Sequence, residues 1–384
     1  MSALVSSDLE RQVIAWRRHL HANPELSFEE VETSQYVEEA LRSFDGLEIA
    51  RPAPTAVVAT LHGGRPGRVL ALRADMDALP IQEESGLEFA STRPGVMHAC
   101  GHDGHTAMLL GAAQALTARR DELAGEVRFV FQHAEEKLPG GARQLVETGV
   151  MDGVDLVVGA HLASMKEVGK IGCPVGPMAA AADTFSAQVR GRGGHAAAPH
   201  RTVDPIAVAS QVVTNLQHLV SRGVDPIESA VVSVTRFHAG TADNIIPEVV
   251  ELGGTVRTFD AGVRAGVREG LERVFRGVTE AHGATYTLAY EDGYAAVIND
   301  GEAAEAVLEA ARAELGEDAI MAAEPIMGGE DFSAYLAEAP GAFFWVGAGH
   351  EDAIPHHHPR FTLDESAFRV GTAVFVRTAL DYLR

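Results

Sequence analysis

The feature that most constrains this chain is a break in its pattern. From about Asp183 to Glu291 it reads strand (184–189), helix (204–220), strand (230–237), strand (249–258), helix (261–281) and strand (285–290). That βαββαβ order closes a two-layer sandwich of the ferredoxin type on its own, in about 110 residues. On either side the rhythm differs: each apolar strand runs into a polar cluster, and helices lie between the strands. Such alternation implies a mostly parallel sheet with helices on its faces. The expected fold class is therefore α/β, with an outer domain made of residues 1–182 and 294–384 and an inserted domain of 183–293. The length of 384 residues, about 2.6 typical domain lengths, agrees with two domains.

Three strands of the outer domain carry the informative clusters. The run VLALR, following Arg68, ends at Asp75-Met76-Asp77 before Pro80 breaks it. Glu126 to Phe131 runs into Gln132-His133-Ala134-Glu135-Glu136, and Asp155 to Ala160 runs into His161. Between the first two, Met108, Leu109, Ala112 and Leu116 mark an amphipathic helix over 104–119 that starts at His102-Asp103-Gly104-His105. Parallel sheets bind ligands outside the carboxyl ends of their strands, and every one of these clusters falls on that edge. After the insertion the pattern resumes with a helix over 303–315, a buried strand over 342–346 and a closing helix over 364–382.

Composition narrows the chemistry. Asp plus Glu (54) exceeds Lys plus Arg (31), which argues against a nucleic-acid or polybasic membrane-surface role, since both need a basic face. No run of 18 or more apolar residues occurs, and Met1 to Glu10 lacks the pattern of a signal peptide, so a soluble, cytoplasmic protein is expected. The two cysteines, Cys100 and Cys173, cannot build a disulfide framework, which also suits a reducing compartment.

The 17 histidines are the more telling count, because several sit beside Cys, Asp and Glu. Val96 to His105, VMHACGHDGH, packs three histidines, a cysteine and an aspartate into ten residues, and a thiolate two residues from an imidazole can share one metal or bridge two. A lone histidine is usually a satisfied core or surface residue; this density reverses that expectation. Glu135-Glu136 offers two diverging carboxylates, one able to bind metal and the other to contact a bound water, though an isolated pair is normally solvated surface. His161, and one of His356-His357-His358, are further ligand candidates. Mixed O, N and S donors favour Zn, Mn, Co or Ni over Mg or Ca.

Together these segments resemble the M20 metallopeptidases, specifically the branch of N-acyl-amino-acid amidohydrolases that includes hippurate hydrolases and auxin-conjugate hydrolases. The resemblance rests on RRHLHANPELSFEE from Arg17, ALRADMDALPI from Ala71, HACGHDGH from His98, FQHAEE from Phe131, GGHAAAPH from Gly193, DNIIPE from Asp243, GTVRTF from Gly254 and MGGEDFSAY from Met327. It implies a centre of two divalent ions held by Cys100, His102, Glu136, His161 and His357, with Glu135 as general base. His357 is the choice among three because the family places its last ligand two residues before a proline. The resemblance further implies that the inserted domain is a lid that supports a homodimer or higher homo-oligomer and supplies His195 to polarise the scissile carbonyl. Asn244 and Arg257 are expected to bind a substrate carboxylate, and Gly329, in GGEDF, to line the acyl pocket. Where the wider superfamily has H-x-D, this chain has Asp75-Met76-Asp77, so Asp75 and Asp77 are expected to orient ligands.

The expected activity is metal-dependent hydrolysis of the amide bond of small N-acyl-L-amino acids, an aminoacylase or hippurate hydrolase type of reaction on linear amides. A dipeptidase or other metallo-exopeptidase is the nearest alternative, because a peptide is also an N-acylated amino acid. A ligand-binding protein without catalysis is a second, opposed by the intact Glu135-Glu136 pair.

Overall fold

Apolar strands order the outer part of the molecule. Strand β1 (Leu47–Ala50), β2 (Val57–His62), β3 (Arg65–Asp75), β4 (Ala124–Gln132), β5 (Leu156–Glu167) and β6 (Ile171–Gly172) join the strand Gly341–Gly349 in one sheet, ordered β1-β2-β4-β3-β5-(341–349)-β6. The four central strands are mutually parallel, and antiparallel pairs close both edges. Burial explains who sits in the middle: β3 is solvated over Arg65–Arg68 and buried from Leu70 to Asp75. This computed structural model describes residues 4–384, so the first three residues of the expected 1–182 segment lie outside the described ones.

Two compact units result. One holds residues 4–178, Ile298–Pro325 and Asp331–Arg384; the other holds Ala179–Val297 and Ile326–Glu330. The short segment Ile326–Glu330 joins the inserted unit, which the sequence pattern did not indicate. Its carbonyls at Ile326 and Gly328 accept hydrogen bonds from the Ala180 N–H at 3.1 and 2.9 Å.

In the first unit, helices α1 (Ser7–Ala22), α2 (Val31–Arg42) and α3 (His102–Thr117) lie on the sheet with the closing helix Ser366–Tyr382. The expectation of an amphipathic helix over 104–119 is corrected: α3 starts two residues earlier and is buried nearly all round. It packs against α1, the closing helix and the sheet, so it has no solvent face to make polar. Gly104 permits close approach to β5, since a Cβ there would come within 2.4 Å of Leu162 Cδ1. A second correction concerns His161, which does not end its strand: β5 continues to Glu167.

The second unit is a four-stranded antiparallel sheet ordered 230–239, 249–258, 181–190 and 285–294. Helices Pro205–Gly223 and Ala261–Ala281 pack side by side against it over a core that includes Phe185, Val189, Leu216 and Phe275. Each helix starts at an aspartate whose carboxylate takes first-turn N–H groups: Asp204 those of Ile206 and Ala207, Asp260 that of Val263. Among the described residues no helix is long and apolar enough to cross a membrane.

Candidate metal centre

Asp77, just past the end of β3, organises the centre. Its buried carboxylate accepts the Glu135 N–H on one oxygen and the Glu136 N–H on the other, both at 3.0 Å, and a 2.6 Å hydrogen bond from Ser27 Oγ. The same group and the Asp77 carbonyl face His102 Nδ1 at 3.2 and 3.0 Å. That fixes the proton on Nδ1 and presents the lone pair of Nε2. Nε2 is buried without a hydrogen-bond partner, 4.0 Å from Glu135 Oε2 and 4.0 Å from Glu136 Oε1. A buried imidazole nitrogen stranded among carboxylates is what a cation would satisfy.

The other donors converge on the same place. Cys100 Sγ lies 3.4 Å from His161 Nε2, and His161 Nδ1 donates to the Leu162 carbonyl at 2.8 Å, which frees Nε2 as a donor atom. His357 Nε2 lies 3.2 Å from Glu136 Oε1. Two triplets therefore form, Cys100-His102-His161 and Cys100-Glu136-His357, each with its ligand atoms within 4.8 Å of one another, and both include Cys100. A thiolate shared between two triplets, with imidazole and carboxylate completing them, suits two divalent ions.

Two neighbouring histidines, His105 and His356, have both ring nitrogens occupied by other hydrogen bonds. His105 donates from Nδ1 to Asp75 Oδ1 at 2.6 Å, and its Nε2 accepts the Leu162 N–H at 2.8 Å. Asp75 also accepts from Arg73 Nη1 at 2.7 Å. The cluster Asp75-His102-His105 is thus a buried polar brace in which two members are already paired. Beside His357, the ring of His356 is occupied by the Cys100 carbonyl and the Ser164 N–H, and His358 accepts the Arg360 N–H. His357 is the one of the three turned to the cluster, from a backbone at φ 64° whose N–H bonds to Ala99 O.

Electrostatics agree with a cation site. Burial works to lower the pKa of His102, but Asp75 and Asp77 outweigh it and push it up to about 10. The Cys100 thiol is driven up by burial and by Glu136 and Glu135. His161 is held neutral by burial, with His105 and His356 adding to the effect. A divalent ion reverses the first two, because its charge favours thiolate and neutral imidazole.

Four expected site residues belong to the second unit. His195 pairs with Ile245 in a two-residue ladder, and its Nδ1 accepts the Ala197 N–H at 3.1 Å, so Nε2 of this exposed residue carries the proton as a donor. Asn244 is beside it, its carbonyl accepting the Ala196 N–H at 3.0 Å. The Arg257 guanidinium is held by the Asp183 and Val256 carbonyls and the Thr255 hydroxyl, which leaves its charge unmatched in these contacts. Gly329 has a packing reason: a Cβ there would sit 2.7 Å from Ala182 Cβ.

Sequence reasoning overlooked two contributors. These are His105, which stands in the densest motif, and Glu30, in NPELSFEE, neither of which the sequence marks with a role. Glu30 is fully buried and accepts the Ala134 N–H at 2.7 Å, one residue before the glutamate pair.

Comparison with known proteins gives the same centre a context. The model of peptidase family M20/M25/M40 matches residues 71–381. An N-acyl-L-amino acid amidohydrolase of Geobacillus stearothermophilus is 60% identical over 295 residues, 77% of this chain and 80% of that protein. Thermostable carboxypeptidase 2 of Saccharolobus solfataricus is 40% identical over 382 residues, 98% of this chain and 96% of that one. A crystal structure from Bacillus subtilis, described as a dinuclear metal binding peptidase from the M20 family, superposes with a TM-score of 0.87 at 41% identity, covering 98% of this chain and 99% of that one.

Proposed function

The chain belongs to peptidase family M20/M25/M40, and from that footing we propose that it hydrolyses the amide bond of N-acyl-L-amino acids, releasing a carboxylic acid and an amino acid. The observation that carries the reading is the pair of donor triplets sharing Cys100, with the Glu135 carboxylate beside them. Cys100, His102, Glu136, His161 and His357 would hold two divalent ions, of Zn, Mn, Co or Ni by the softness of the donor set. When bound, the ions supply positive charge that lowers the pKa of water and polarises an amide carbonyl.

The chain's own residues do the rest. Glu135, whose N–H is fixed by Asp77, takes the proton of the attacking water and returns it to the leaving amine. His195, protonated on Nε2, donates to the carbonyl oxygen as negative charge builds there. Asn244 and Arg257 bind the α-carboxylate of the amino-acid half, and a guanidinium not already paired with a carboxylate suits that task. Gly329 lines the acyl pocket, a homodimer assembled through the inserted unit completes the enzyme, and a thiolate ligand fits a reducing cytoplasm.

The test combines chelation with one substitution. Chelation should abolish N-acyl hydrolysis and divalent metal restore it, while Glu135→Gln should keep its metal content and fall at least about 100-fold in kcat. Full turnover by that variant would remove Glu135 from the role. The carboxypeptidase relative favours a second reading, cleavage of peptides with a free C-terminal carboxylate. Comparing N-acetyl and N-benzoyl amino acids with dipeptides on kcat/KM separates the two.

A further inference from the structure

Three successive main-chain N–H groups at the end of β4 are captured by buried carboxylates. Asp77 takes those of Glu135 and Glu136, and Glu30 takes that of Ala134. Ala134 is held at φ 49°, a left-handed conformation that non-glycine residues seldom adopt, and this bend turns the chain out of the strand so that the next two residues face the cluster. Its carbonyl is pinned too, by the Gly141 N–H at 2.9 Å.

Glu30 is free for this task because another residue does its local one. It occupies the N-cap of α2 but makes no side-chain cap; the Thr33 N–H of the first turn is taken instead by Glu25 at 2.7 Å. The Glu30 carboxylate oxygen that accepts from Ala134 also accepts the Phe28 N–H at 3.0 Å, and Phe28 is likewise left-handed, at φ 71°. One buried side chain thus fixes two strained backbone positions.

We infer that Glu30 is a positioning residue for the general base: by holding the Ala134 N–H it keeps the 134–136 turn in the conformation that aims Glu135. The inference rests on Glu135 acting as the base. What matters is an acceptor at the right reach rather than a charge. Burial, with Asp77 adding to it, pushes the Glu30 carboxyl up to about 7, so a neutral acceptor is a fair substitute.

Two substitutions divide reach from charge. Glu30→Gln keeps the reach and removes the charge; Glu30→Asp keeps the charge and withdraws the acceptor by one methylene. In metal-loaded enzyme, with metal content and folding verified by circular dichroism, kcat should stay within about threefold for E30Q and fall at least about tenfold for E30D, with KM within about twofold in both. Amide deuterium exchange over 134–136 should speed up in E30D and not in E30Q. Adding Ala134→Gly, which adopts positive φ without strain, should restore part of the kcat lost in E30D.

Wild-type kcat in folded E30D, or equal losses in the two variants, overturns the inference. Should E30D not fold, E30Q decides: retained turnover with protected amides supports the clamp, and a tenfold fall refutes it. Glu135→Gln runs alongside as a control. If that variant is fully active the base assignment has failed, whereas a dead E135Q with an active, folded E30D fails the clamp alone.

Discussion

His105 shows how a residue beside the candidate ligands can matter without itself being one. It ties the Asp75 carboxylate to the main chain at Leu162, next to His161. Replacing it by alanine strands a buried carboxylate oxygen and a buried N–H, each costing about 1–3 kcal/mol, and loosens the strand that carries His161. The expected outcome for His105→Ala is a lower melting temperature and about 10–100-fold weaker metal binding by chelator competition. Unchanged affinity in the folded variant would show that the brace is irrelevant to the centre. The candidate donors were legible in the sequence because Cys100 and His102 lie close together and Glu136 and His161 follow apolar runs. Glu30 and His105 were not, since their meaning depends on partners, Ala134 and Asp75, that only the fold brings near.

At the scale of elements, α3 carries His102 and His105 on consecutive turns, so its distance from β5 sets the geometry of the cluster. Gly104→Ala tests this directly. The new methyl would lie 2.4 Å from Leu162 Cδ1 and 2.9 Å from Phe368 Cε1. Alanine adds up to about 1 kcal/mol of helix propensity, but overpacking costs about 1–3 kcal/mol, so a net loss is expected. The loss should appear as a lower urea midpoint together with weaker metal binding, and a more stable variant would mean that Leu162 and Phe368 yield without cost. Helix identities could be read from periodicity where one face stays wet, and the central strands from continuous apolar runs buried on both faces. Helix α3 misled as to amphipathicity because a helix covered on all sides loses that signal, and the end of β5 misled because a polar residue, His161, sits inside the strand.

At the scale of the molecule, the two units have separate stabilising centres. In the second, Asp183 takes hydrogen bonds from Arg264 Nε at 2.8 Å, the Tyr290 hydroxyl at 2.6 Å and the Gly293 N–H at 2.9 Å. Burial alone would raise its pKa, but these partners, Arg264 first, hold it below the ordinary aspartate value. A depressed carboxylate stabilises the fold above its unfolded pKa, about 3.9, and that contribution fades as pH falls through the folded value. Asp183→Ala should therefore cost about 3 kcal/mol near neutral pH, read by hydrogen exchange in strand Ala181–Arg190, with the gap from wild type closing below about pH 4. A gap independent of pH would assign the loss to packing instead.

The interruption of the outer unit also has a consequence in time. The strand Gly341–Gly349 lies in the sheet beside β5, and His357 follows it, so both arrive after the whole inserted unit has been synthesised. A ribosome making this protein exposes β3, β4 and β5 with one flank of β5 unpaired, then releases an inserted sandwich in which all but a five-residue segment is contiguous in the chain. Four of the five candidate donors are already translated by then, yet the second triplet has no third member until His357 is added. Filling of the second candidate triplet thereby waits on chain made after the inserted unit, whereas the first triplet precedes it.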